Sequence, residues 1–219
     1  METLHLYVSV PVAGFRVAQA REYWETYPVP PPSTVYGMLL SMVGESNRLV
    51  HRGVQIAIAL VSAPDRSVVL RTLWRVKSAK LGPGQGNNAC PGYQELLTNV
   101  RLSVWICDGG DDRGSPTLFA RVKSALAAPP SVSRFGGLAL GESTHLVNEV
   151  RLWRNGDPVR GQLLAASPGG DLSLPIWPDH VGSKGTQWGQ FTLREDSVVE
   201  GDHVPDEGWV CMQPVTVEP

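Results

Sequence analysis

The 219-residue sequence has only three cysteines, Cys90, Cys107 and Cys211, and none of them forms a C-x-x-C pair. That argues against a disulfide framework and a structural zinc site, and it fits a reducing cytoplasm. No apolar run approaches the roughly 20 residues of a membrane helix, so no membrane association is expected. The opening METLHLYVSV has no basic segment ahead of its apolar stretch, so a secretion signal is not expected either. The histidines (His5, His51, His145, His180, His203) are scattered, without H-E-x-x-H or H-x-E with C-x-x-C, and neither a metal nor another cofactor is expected. Gly82-Pro83-Gly84-Gln85-Gly86 opens no apolar-periodic helix, which excludes a dinucleotide or P-loop fingerprint. There is no G-x-S-x-G nucleophile elbow. The usual marks of an enzyme are missing.

What is present is a chain able to build one sizeable core, with 42% hydrophobic residues and a mean hydropathy of -0.10. Its net charge of -2 hides an uneven distribution. Residues 1–160 carry 17 Lys+Arg against 12 Asp+Glu, and residues 161–219 carry 2 against 9, giving +5 and -7. This pattern reads as a basic working body followed by an acidic segment.

Residues 3–10 alternate, with Leu4, Leu6, Val8 and Val10 on one face, which predicts a half-buried strand. Pro28-Val29-Pro30-Pro31-Pro32 is a stiff lead-in to a helix capped by Ser33 or Thr34 and striped by Val35, Met38, Leu39, Met42 and Val43. Gly37 costs roughly 1 kcal/mol inside that helix, and close approach of another backbone would offset it; a surface glycine is the plainer alternative. Residues 54–62 read as a central strand, 67–79 as an alternating one and 99–107 as another. Between them, 80–88 is a turn-rich loop. Ser115-Pro116 opens a second helix with Leu118, Val122, Ala125 and Leu126 inward, and a strand follows near 145–153. Beyond Gly156, Pro, Gly and Asp leave room for at most one or two short strands. The resulting skeleton is an α+β, ferredoxin-like antiparallel sheet backed by two helices. Many functions use that fold, so it decides none of them.

The region from Arg66 to Lys80 carries five cations and no acid. Arg71, Arg75 and Lys77 share one face and can meet successive phosphates; an edge strand protected by charge is the competing explanation. The adjoining Gly/Asn loop offers backbone N–H groups and amides to RNA, and Tyr23, Trp24, Tyr27 and Tyr36 are stacking candidates.

The run Tyr27-Pro28-Val29-Pro30-Pro31-Pro32-Ser33-Thr34-Val35-Tyr36-Gly37-Met38-Leu39-Leu40-Ser41-Met42-Val43-Gly44 resembles a proline-then-"ST-x-x-G-hydrophobic-G" segment. That segment belongs to the fifth family of CRISPR-associated proteins, RAMP-type backbone subunits of type I Cascade complexes. The first strand running into Gly14-Phe15-Arg16 is similar, as is Phe135-Gly136-Gly137-Leu138-Ala139-Leu140-Gly141-Glu142. The resemblance spans residues 1 to about 155 and is closest to type I-B relatives. It implies an RNA-recognition-like domain over 1–155 with an inserted thumb, mapped here to about 80–98, and leaves 156–219 as an acidic, irregular extension packed on the same domain. It also implies a cytoplasmic protein that grips the crRNA 5′ handle, touches the repeated backbone subunit and the large subunit, and meets target DNA only indirectly.

One branch of that family cleaves RNA with a tyrosine and a Lys-His pair, and this sequence has no Lys-His dipeptide. A non-catalytic crRNA-binding subunit is therefore expected. Arg71, Arg75, Lys77 and Lys80 are expected on phosphates, Gln85, Asn87 and Asn88 on handle nucleotides, and Arg16, Arg21 and Arg134 along the groove. The alternative is a metal-independent endoribonuclease with a general base such as His145. A ferredoxin-like assembly protein that never touches RNA is a third.

Overall fold

A computed structural model describes residues 2–20, 23–74, 77–107, 111–179, 185–201 and 204–214. Strand β1 (Thr3–Ala13) leads through the short β2 (Tyr23–Trp24) into helix α1 (Pro32–Met42). Strands β3 (Gln55–Leu60), β4 (Asp65–Trp74) and β5 (Ala89–Cys107) follow, then helix α2 (Leu118–Ala127) and strand β6 (Glu149–Leu152). The order β6-β1-β5-β3, antiparallel throughout, is the split βαβ arrangement expected from the sequence.

The sheet does not stop there. Strands β7 (Arg160–Ala166), β8 (Leu172–Trp177) and β9 (Gln187–Val198) extend it beyond β3, and β10 (Val210–Cys211) pairs with β3 as well. The irregular extension expected after residue 156 is therefore corrected to four strands. Leu164, Leu174 and Phe191 each bury their side chain on the common core, and that burial overrides the Pro and Gly content. The sheet curls until β8 reaches α1, where the Tyr36 and Trp177 rings lie 5.8 Å apart.

Curling changes two local expectations. Strand β1 is buried on both faces: Leu4, Leu6, Val8 and Val10 enter the helix-side core, while Tyr7 enters a second core with Ala57, Ala59, Trp105, Leu163, Val199 and Val204. Trp209 packs against that second core, and Trp105 Nε1 donates to the Gly201 carbonyl at 3.0 Å. The sheet face left open in many RNA-recognition domains is closed by this chain's own C-terminal third. The helix caps also differ. Helix α1 has Pro31 as its flanking residue and Pro32 as its first, with Ser33 and Thr34 inside it and no side-chain cap. Helix α2 is capped by Thr117, whose Oγ1 accepts from Ala120 N, and not by Ser115. No helix among the described residues is long and apolar enough to cross a membrane.

Candidate nucleic-acid interface

Strand β5 has 19 residues, roughly 60 Å of extended chain. Its second half lies between β1 and β3. Its first half pairs with β4 from Asp65↔Thr98 out to Trp74↔Ala89, and beyond Leu97, where the β1 pairing ends, it leaves the body with only β4 and the two residues of β2 beside it. The hairpin is an arm. Asn99, at φ 59°, lies opposite Pro11, the position that the β1 pairing passes over between Val10↔Val100 and Val12↔Thr98 with its register unchanged. Where a thumb is expected at 80–98, residues 89–98 are strand, and the projecting unit runs from Asp65 to Thr98, with 77–88 the described residues of its tip.

The tip is built, not loose. Asn88 is buried, its Oδ1 accepts from the backbone N–H of Lys77 and Ser78, and its Nδ2 donates to the carbonyls of Ser78, Leu81 and Gly82. All of its amide capacity goes to closing the turn. The assignment of Asn88 to handle nucleotides is corrected on that ground, since a nucleotide would have to break the tip to reach it. Gly84, in the left-handed region, lies against the Trp74 ring, where a Cβ would stand 2.8 Å from a ring carbon. Around this anchor Lys77, Lys80, Gln85 and Asn87 are exposed.

The two faces of the arm differ. Arg71 Nη1 donates to Gln94 Oε1 at 2.6 Å and to Glu142 Oε2 at 2.9 Å, and Gln94 Nε2 also reaches Glu142. Trp24 pairs with Gln94 in register and carries the Arg16 guanidinium 4.1 Å above its ring. Arg16 and Arg71 therefore sit in one continuous patch at the arm's base. The other face shows Val68, Leu70, Trp74 and Tyr93, with Tyr23 beside Tyr93 at 6.5 Å between ring centres; all five are exposed. Its one cation, Arg66, is held by Glu95 at 2.6 Å. Arg21 and Arg75 lie outside the described residues.

Arg134 stands apart, on the loop between α2 and β6. Together with Ser133 and Phe135 it forms one wall of a groove of about 600 Å³ whose other wall is Gly37, Leu40, Ser41, Gly44, Glu45 and Ser46. The expectation for Gly37 is corrected, because nothing lies within 4 Å of where its Cβ would be. The close approach is at Gly44, whose Cβ would stand 2.2 Å from the Ser133 carbonyl oxygen. Of the proposed stacking residues, Tyr27 and Tyr36 are core, and burial raises the pKa of the Tyr36 hydroxyl, which donates to the Arg48 carbonyl at 2.7 Å. The exposed aromatics absent from the stacking candidates are Phe135, Trp74, Tyr93 and Trp188. A phenylalanine set between an arginine and two glycines, with no periodic apolar partner, is the signal that singles out the first.

His145 is buried, and its Nδ1 accepts from Gly14 N and Glu142 N, each at 3.2 Å. Burial first, and the Arg71 charge second among the lowering effects, hold its pKa below the ordinary value. Its place is that of a pin between the 139–146 turn and the end of β1. His51 is fully buried between Asp112, 3.1 Å from Nδ1, and Arg121, 3.0 Å from Nε2, while Asp112 also accepts from Leu118 N at the start of α2. The Arg121 hydrogen bond in turn lowers the pKa of Glu45. Among the described residues, no group of three His, Cys, Asp or Glu side chains is placed to hold a metal ion.

No family model matches the chain. The chain is 47% identical over 193 residues to the CRISPR-associated protein Cas5 of Myxococcus xanthus (strain DK1622), covering 87% of this chain and 89% of that protein. Among solved structures it resembles a chain described as a CRISPR RNA-guided surveillance complex, with TM-score 0.58 and 15% identity over 90% of this chain and 91% of that one. A crystal structure of a Cas protein superposes with TM-score 0.51 and 12% identity, covering 92% of this chain and all of the other.

Proposed function

This chain belongs to the Cas5 family of CRISPR-associated proteins, and from that premise we propose that it is a non-catalytic crRNA-binding subunit of a type I Cascade effector complex, holding the crRNA 5′ handle. The observation that carries this reading is the arm tip. A buried asparagine fixes a turn that presents Lys77, Lys80, Gln85 and Asn87 to solvent, and no carboxylate among the described residues pairs with either lysine. Preordered cations of this kind bind a phosphate backbone with little ordering cost. The Arg16–Arg71 patch continues the path toward the body.

The apolar face of the arm supports the second half of the reading, contact with the repeated backbone subunit and the large subunit. Five exposed apolar side chains around one neutralised arginine suit protein better than phosphate. Target DNA is then met only through the guide.

The alternative, RNA cleavage with His145 as base, loses support from the geometry: a general base must reach the 2′-hydroxyl, and His145 Nδ1 already accepts two backbone N–H groups. Labelled repeat RNA incubated with the full chain in EDTA tests all three readings. Retention without cleavage is expected, with log affinity falling against log salt by about 0.7 for each phosphate engaged. Cleavage in EDTA would establish the nuclease, and no retention at any salt would leave an assembly protein.

A further inference from the structure

Phe135 stands entirely in solvent, at 102% of the reference accessible area, on a turn whose next residue, Gly136, has φ +74° and open space where a Cβ would be. The other large aromatics are covered at least in part, the next most exposed being Trp74 at 70%, and Phe135 belongs to no core cluster among the described residues. Beside it runs the groove of about 600 Å³, a size that admits a small ligand. Its lining is mixed: Ser41, Ser46, Ser133 and Arg134 bring polar groups, beside the apolar surface of Phe135, Leu40, Gly37 and Gly44. The one acid in the wall, Glu45, is bound to Arg121 at 2.7 Å, so its charge is compensated. No carboxylate among the described residues pairs with Arg134.

We infer that Phe135 and Arg134 form a binding site for one unpaired nucleotide of single-stranded RNA. The base stacks on the phenyl ring, its edge faces the serine hydroxyls, and an adjoining phosphate meets the guanidinium. The inference rests on the RNA-binding reading above and adds to it a site on the body, separate from the arm. A ring next to a free cation on a glycine turn, with donor and acceptor hydroxyls alongside, matches the three parts of a nucleotide. A protein anchor would instead want an apolar surround, and the groove supplies one aliphatic side chain, Leu40. Hydroxyls both donate and accept, so the site tolerates any base.

The test uses the full chain and single-stranded repeat RNA carrying 5-iodouridine at successive positions. Irradiation is expected to crosslink one position to Phe135. Phe135→Ala is expected to weaken RNA binding about tenfold, within the range for loss of one base stack, with an unchanged salt slope and an unchanged melting temperature; Phe135→Trp is expected to restore it. Arg134→Gln is expected to flatten the salt slope by about 0.7. If Phe135→Ala binds RNA within twofold of the parent while Lys77→Ala/Lys80→Ala binds worse, the nucleotide site is overturned and RNA binding by the arm stands. If Phe135→Ala keeps its RNA affinity but no longer enters the assembled complex, the ring is a protein contact and the inference fails. If the unaltered chain retains no RNA, both readings fall together.

Discussion

One strand, β5, runs through two opposite environments. At its outer end Tyr93 is 54% exposed beside Tyr23; twelve residues on, Trp105 is 1% exposed under the C-terminal third. Both are aromatic residues on a pleated strand, and nothing local distinguishes them. The difference is what the chain brings over them. Val199, Val204 and Trp209 pack around Trp105, while among the described residues no core cluster includes Tyr93. A cluster of exposed aromatics of this kind suits contact with another molecule.

The sharpest way to test that contrast is to truncate one aromatic from each end. Trp105→Ala removes a buried indole and its bond to the Gly201 carbonyl, at a cost of about 3–5 kcal/mol. For a chain of this length that lowers the melting temperature by about 10 °C or more. Trp74→Ala, at 70% exposure, should stay within about 0.5 kcal/mol of the parent and show its defect only in assembly with partner subunits. Equal melting shifts would break the comparison.

A second test titrates the covered end. His5 lies sandwiched between Trp105, 4.4 Å away, and Trp153, 5.3 Å away, and burial, partly offset by Asp157, pushes its pKa down to about 4. The folded state therefore favours the neutral ring, whereas the unfolded chain takes up a proton near pH 6.5. That contribution is complete above pH 6.5 and is lost progressively as pH falls to about 4, a total on the order of 3 kcal/mol. Urea unfolding at a series of pH values should show the decline, and His5→Phe should flatten that part of it. A decline that survives the substitution belongs to other groups.

The third test moves to the arm. Asn88→Ala leaves backbone groups of Lys77, Ser78, Leu81 and Gly82 without their side-chain partner, a local loss of about 2 kcal/mol. Because none of the core lies at the tip, the body should melt within about 2 °C of the parent. Limited proteolysis near residues 77–88 should accelerate, and RNA affinity should fall with the order of the lysines. A collapsed melt would mean that the tip is part of the core.

These outcomes bear on what the sequence could carry. The split βαβ body was legible because β1, the inner half of β5 and α1 show a clean period and β3 is an almost unbroken apolar run, and their apolar positions are the buried ones. The arm was half legible. Alternation located β4, but Gly92 and Pro91 disguised the outer half of β5, which is a strand only because β4 lies beside it. The C-terminal strands were not legible, since Pro175, Gly161 and Gly189 interrupt them and a sheet edge to join is a tertiary fact. The same holds for the site. The cations between 66 and 80 are visible as charge, but that Arg66 and Arg71 have carboxylate partners, while Lys77 and Lys80 have none among the described residues, depends on Glu95 and Glu142, far along the chain. Asn88 looks like a ligand residue in sequence and is a turn residue in space.

The smallest expected effect sharpens the comparison most finely, because it concerns small residues. On the covered face Ala57 and Ala59 are fully buried beneath Trp105 and Leu163, so smallness there means tight packing. Gly37 is smaller still, yet its missing side chain faces the open groove. Gly37→Ala in an 11-residue helix should therefore stabilise the isolated chain, by up to about 1 kcal/mol, from helix propensity alone. That raises the melting temperature by about 2–4 °C. Ala57→Leu, by contrast, forces extra carbons into a closed layer and should destabilise. If Gly37→Ala instead melts lower, some part of this chain packs on the helix there and the groove is not a free surface. If it melts higher and the longer Gly37→Leu side chain then weakens RNA retention, the groove is empty in the free subunit and filled in the working one.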